Sequence, residues 1–190
     1  VTTETGQLTI TVIALDAAPH AVERAVELAR SRLPRRASST IAAGAHAADL
    51  LITDLTPQEA TGVMVRVGDY ARVRGPAPHG TAWAIPTSIP ASPTWHLRDG
   101  AIATATRPAS HRPGGRGDPS PGAALVVVHA DTCDHAGTLA ARWLGRTGAE
   151  LAELARAHNV AVRAQLTDGS TASFSSHPGP ARRPAVAAGT

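Results

Sequence analysis

Lysine is missing from all 190 residues, and every one of the eighteen basic side chains is an arginine. This explains the pI near 10.3, because the formal net charge is only +3. The arginines are scattered. Three tryptophans, one tyrosine and one phenylalanine supply no aromatic ladder on which bases could stack. The basic balance therefore reads as compositional bias, no nucleic-acid partner is expected, and a polyanion-binding module ranks last among the functions considered. A single cysteine, Cys133, excludes an intrachain disulfide and a Cys-based zinc finger. A buried, inert thiol is expected there. No apolar run is long enough to span a membrane. No charged segment followed by an apolar run opens the chain, so no signal peptide is visible and a cytoplasmic location is favoured. The sequence starts at Val1, which leaves room for a removed segment.

The length suits one or at most two domains and one good core. Leu8 to Leu15 alternates threonine with Leu, Ile and Val, a strand pattern. Val22, Val26, Ala29 and Leu33 recur at helical spacing after Pro19, and Pro34 ends that helix. Residues 41–55 read as a second, Ala-rich helix. Val63 to Val67 and Ala71 to Gly75 read as a hairpin about Gly68-Asp69, and Trp83-Ala84-Ile85 as a short strand. Asp99-Gly100 has the chemistry of a tight hairpin turn between strand-like flanks. Residues 108–122, rich in Pro, Gly and Arg, read as loop. Ala124 to Val128 is an apolar strand, followed by helical sequence to about Asn159 and a strand over 160–166 with an Asp168-Gly169 turn. Gly145-Arg146-Thr147-Gly148 lacks the lysine of a P-loop and reads better as a join between two helices. Leu151, Leu154, Ala155 and His158 form a stripe expected in the core. From Ser173 the chain is Ser, His, Pro, Gly and Ala and reads as a disordered tail. The expected organisation is a single domain over 1–172 with a tail over 173–190. There is no internal repeat.

The stretch with most chemical content is Asp134-His135-Ala136-Gly137-Thr138. Asp134 and Thr138 are four apart, so a helix stacks a carboxylate and a hydroxyl on one face. Hard cations such as Mg²⁺ or Ca²⁺ take oxygen ligands of this kind. A carboxylate at a helix N-terminus also stays ionised, because the helix dipole favours its charged form. His129, Asp131, Asp134 and His135 could instead form a transition-metal cluster, but their spacing follows no recognised pattern. No Gly-x-Ser-x-Gly elbow is present.

Several short motifs then fall in order. They are Ala47-Ala48-Asp49-Leu50, Gly62 to Asp69 with Val73-Arg74-Gly75, Trp83-Ala84-Ile85, Asp99 to Thr104, Asp118-Pro119-Ser120-Pro121-Gly122, Asp134 to Thr138, and Trp143-Leu144-Gly145. Together this series resembles the FAD:protein FMN transferase (ApbE-like) family. The resemblance implies an α+β fold, mixed but mostly antiparallel, with the sheet packed against helices and related to the T-fold. It implies Mg²⁺-dependent transfer of FMN from FAD to a threonine hydroxyl of an acceptor flavoprotein, with release of AMP. Its metal ligands would be Asp134, Thr138 and the Gly137 carbonyl, and Gly117 and Asp118 would face the flavin nucleotide. Gly44 stands where the family has a lysine, and Gly115 where it has a histidine base, with His111 four residues upstream. The general base is therefore unassigned, and the N-terminal half is shorter than the family's. The alternative is a family member without catalysis that binds flavin or metal, or acts as a scaffold. Acceptor and oligomeric state are not legible.

Overall fold

The computed structural model describes residues 2–5, 8–32, 40–55, 60–89, 92–107 and 122–175. Its strands are β1 (Thr2–Thr5), β2 (Leu8–Leu15), β3 (Gly62–Val67), β4 (Tyr70–Arg74), β5 (Trp83–Ile85), β6 (Trp95–Leu97), β7 (Asp99–Thr106), β8 (Ala123–Ala130), β9 (Ala161–Leu166) and β10 (Thr171–Ser175). Its α-helices are α1 (Pro19–Arg32), α2 (Thr40–Leu55), α3 (Cys133–Trp143) and α4 (Gly148–Ala157). Eight strands form one sheet in the order β1-β2-β3-β4-β7-β8-β9-β10, and every neighbouring pair is antiparallel. The expected α+β class with a mostly antiparallel sheet packed on helices is therefore the class observed.

Period-two alternation decides which side chains meet the helices. Val63, Val65 and Val67 of β3 and Ile10 and Val12 of β2 point into a core shared with α1, α2, α3 and α4. On the opposite face β5 and β6 pair with each other and cover Ala71, Val73, Ile102, Leu125 and Val127. This two-sided burial explains the unbroken apolar run of β8. Val126 and Val128 belong to the helix-side core, whereas Leu125 and Val127 belong to the other. Among the described helices none is long and apolar enough to cross a membrane.

Three expectations are corrected. Asp99-Gly100 is no hairpin turn: both residues lie inside β7, whose partners are β4 and β8, while the preceding β6 pairs with β5 in the small sheet. The pair marks where the chain passes from one sheet to the other. Gly100 (φ 120°) is needed there, because a Cβ would lie 2.5 Å from His129 Nε2. Second, Ser173, Phe174 and Ser175 are not tail: they pair with Arg163, Val162 and Ala161, and Phe174 packs on the helix-side core. Residues 176–190 lie outside the described residues. Third, Leu151 and Ala155 are buried as expected, but His158 is exposed at the C-cap of α4, its ring 5.6 Å from that of Trp143. β1 carries no distinctive sequence pattern and was not expected.

Helical sequence after residue 132 divides as the join reading implies. α3 ends at Trp143 and α4 starts after Thr147, whose hydroxyl accepts from the Glu150 amide while the Glu150 carboxylate accepts from the Thr147 amide. This reciprocal capping box ends one helix path and begins another.

Candidate functional site

The N-terminal turn of α3 is where three distant parts of the chain meet. Its cap, Thr132, accepts from the His135 amide at 3.2 Å, and the Thr132 carbonyl accepts from the Ala136 amide. The two amides before these are taken by a residue of another helix. Asp49 of α2 accepts from the Cys133 amide through Oδ1 at 2.9 Å and from the Asp134 amide through Oδ2 at 3.0 Å. Arg72 of β4 closes the group, its Nε 3.3 Å from Asp49 Oδ1. A carboxylate is well placed here, because the helix dipole and the unpaired amides both favour negative charge. The amides of residues 133–136 are thus all satisfied within the protein.

Beside this clamp stands Tyr70, the only tyrosine of the chain. It opens β4 and points into the helix layer, where it is 5% exposed. Its ring lies between two helical glycines. A Cβ on Gly44 of α2 would be 3.1 Å from Tyr70 Cδ2, and one on Gly137 of α3 would be 2.8 Å from Cε1. Burial, then Asp69, Cys133 and Asp134, push the phenol up to about 12. Both carboxylates thus act on this ring. Burial and the Asp49 carboxylate also push the Cys133 thiol upward, against the opposing pull of Arg72. The buried thiol expected from the sequence is fully buried and held protonated.

Asp134 and Thr138 are exposed one turn apart on α3, so the expected carboxylate–hydroxyl pair exists as a shared face. Gly137 is buried against Tyr70, and its carbonyl sits in the helix interior, where it faces the amide four residues on. Gly117, Asp118, His111 and Gly115 lie outside the described residues. The His129 ring lies tilted against that of Trp95, their centroids 5.5 Å apart. Among the described residues no three His, Cys, Asp or Glu side chains converge, so the transition-metal cluster does not form there. A groove of about 670 Å³ opens at the other end of α3, between Arg142, Trp143, Arg146 and His158, away from the Asp134–Thr138 pair.

One carboxylate and one hydroxyl make a partial donor set. They suit Mg²⁺ in its commoner protein mode, in which one or two carboxylates share the ion with water and substrate phosphates. They do not suit an all-protein calcium cage.

The same architecture is found in solved structures. The apo flavinyl transferase ApbE of Pseudomonas stutzeri matches with a TM-score of 0.59 over 73% of this chain and 49% of that one, at 20% sequence identity. The chain has an ApbE-like fold. The flavin transferase ApbE of Vibrio cholerae matches at 0.54 and 23% identity, over 70% of this chain and 49% of that one. The ApbE protein of Thermotoga maritima matches at 0.57 and 16% identity, over 80% and 61%. The chain thus spans about half to three-fifths of the length of these ApbE structures. No protein-family model and no curated protein sequence matches it.

Sequence reading missed Tyr70 and Arg72 and gave Asp49 no role beyond its place in a motif. The trace that could have found Tyr70 is its isolation: a lone tyrosine following Gly68-Asp69 in a chain with so few aromatics.

Proposed function

We propose that the chain is, or is part of, a flavin transferase that moves FMN from FAD to a threonine hydroxyl of an acceptor flavoprotein, releasing AMP. The observation that carries this reading is the ApbE-like fold with the Asp134–Thr138 pair on an open face of α3. In this reading Asp134 and Thr138 hold Mg²⁺, the Gly137 carbonyl contributes where its helical partner allows, and Gly117 and Asp118 face the flavin nucleotide. The ion would supply charge neutralisation and orientation at the diphosphate. The chain's own part is to keep α3 in place. Asp49 and Arg72 secure its first turn to α2 and β4, so the orientation of the Asp134 carboxylate depends on both.

A second reading is a flavin- or metal-binding protein without transferase activity. It is favoured by Gly44, where the family resemblance has lysine and where a Cβ would already stand 3.1 Å from the Tyr70 ring, which leaves little room for a long side chain. One experiment separates the two. The protein is incubated with FAD, Mg²⁺ and a threonine-bearing acceptor domain, and the acceptor mass is read. Transfer adds the FMN mass to the acceptor; FAD retention without that increment supports the binding protein; neither result leaves only the fold. Asp134→Ala should abolish the Mg²⁺-dependent rise in melting temperature, and an unchanged rise would place the ion elsewhere.

A further inference from the structure

A diphosphate ligand needs hydrogen-bond donors, and the usual supply at a helix start is its free amides. In α3 that supply is already used. Asp49 and Thr132 take the amides of 133 to 136. The chain has no lysine to substitute, and Arg72 is turned to Asp49. Among the described residues, a donor held in a fixed position beside this turn is the Tyr70 hydroxyl. Its ring is packed between Gly44 and Gly137 and cannot rotate away, because both helices meet it at van der Waals distance. The oxygen stands 3.4 Å from where a Gly137 Cβ would be, on the side of α3 next to Asp134. The hydroxyl makes no hydrogen bond to any described residue, although the side chain is otherwise buried. The oxygen is not a buried orphan, since among the described residues only Thr87 Oγ1 and Trp95 Nε1 are enclosed without a partner; it is the ring that is buried, and the O–H at its tip is left for a ligand.

We propose that Tyr70 is a ligand-binding residue: its phenol O–H donates to a phosphate oxygen of the dinucleotide held at the Asp134–Thr138 end, with the glycine pair fixing the ring for that purpose. This inference rests on the flavin-transferase reading and adds to it a donor contributed by β4 rather than by α2 or a helix terminus. The arrangement is economical in conformational entropy, since a wedged ring loses no rotamer freedom when the ligand arrives. It also accounts for glycine at two interior helix positions, each of which costs helix stability.

The test compares wild type with Tyr70→Phe, which keeps the ring and removes only the hydroxyl. FAD and riboflavin are titrated separately in the presence of Mg²⁺, following flavin fluorescence. Loss of a hydrogen bond to a charged oxygen should weaken FAD binding about tenfold. Riboflavin, which has no phosphate, should bind both proteins alike, and the melting temperatures should agree. As an independent measure, fluorotyrosine labelling yields one ¹⁹F resonance from the lone tyrosine. That resonance should move with FAD and hold still with riboflavin. Equal FAD affinity in Tyr70→Phe, or an unmoved resonance on FAD saturation, overturns the role of Tyr70 while leaving the transferase reading intact. A wild-type protein that binds no FAD overturns both.

Discussion

Removing Asp49 should cost far more than the loss of an ordinary half-exposed carboxylate. Its side chain is 22% exposed and that of Arg72 19%. Each oxygen accepts a backbone N–H from the first turn of α3, at 2.9 and 3.0 Å. Hydrogen bonds to a charged group are worth about 1.5–3 kcal/mol each, and favourable interaction with a helix N-terminus adds about 0.3–1 kcal/mol. The Cys133 amide is enclosed with its residue, but Asp134 is exposed, so water can replace part of what is lost at its amide. An expected loss of about 3–4 kcal/mol for Asp49→Ala follows from discounting the sum accordingly. Asp49→Asn keeps one acceptor but turns an NH₂ group towards the second amide, so about 2 kcal/mol should go. Arg72→Met should cost about 1 kcal/mol, since its partner keeps both amide bonds. The double variant should show coupling between the two sites, as expected for groups in one network. Urea unfolding followed by tryptophan fluorescence gives these values, because Trp143 is buried at the far end of α3. Whole domains are stable by only about 5–15 kcal/mol, so a 3–4 kcal/mol loss is plain in the midpoint. An Asp49→Ala protein within 1 kcal/mol of wild type would refute the clamp and mean that water caps α3 equally well.

Gly137→Ala should destabilise the protein by about 1–3 kcal/mol by overpacking against Tyr70. Gly44→Ala, with its looser 3.1 Å approach, should be near neutral because the gain in helix propensity offsets the crowding. Equal effects of the two in thermal melts would contradict the wedge. Thr147→Ala should cost about 1 kcal/mol through loss of the α4 cap. Glu150 is held below the usual carboxylate range, first by the Thr147 amide and then by the Thr147 hydroxyl, with Arg146 adding to them. A carboxyl with a depressed folded-state pKa stabilises the fold above its unfolded value of 4.5 and loses that contribution as pH falls through the lower folded value. Glu150→Gln should therefore flatten stability against pH below about 4.5 in an acid titration followed by circular dichroism, and an unchanged acid limb would rule the capping box out as its source. Cys133 should resist thiol reagents in the native protein and react fully in denaturant, with Asp49→Ala increasing native labelling. Rapid native labelling by Ellman's reagent would count against its burial.

Local pattern and tertiary contact divided the site between them. The Asp134–Thr138 spacing was legible because both residues lie on one helix, whose period of 3.6 is a property of the backbone. Asp49 reaches the same place from 84 residues away along the chain, and no periodicity links them. Tyr70 and Arg72 alternate with Ala71 and Val73, so a strand was readable, but which face met the helices was not. The Asp99-Gly100 step shows the same division. Its residues allow a backbone with positive φ at glycine, as the sequence implies, yet strand partners are chosen across the whole sheet, and β4 with β8 outcompeted β6.

By itself the amino-acid order determined the alternation of strands and helices, the apolar strand over residues 124–128, the join between two helices at residues 145–148, and the oxygen pair on α3. Those follow from short-range sterics, hydrogen bonding and hydrophobic period. Only the tertiary structure decided that Asp49 would occupy the amides of α3 and that a single tyrosine would stand between two helical glycines. Both depend on how closely α2, α3 and β4 approach, a separation set by the packing of the entire core rather than by any segment of it.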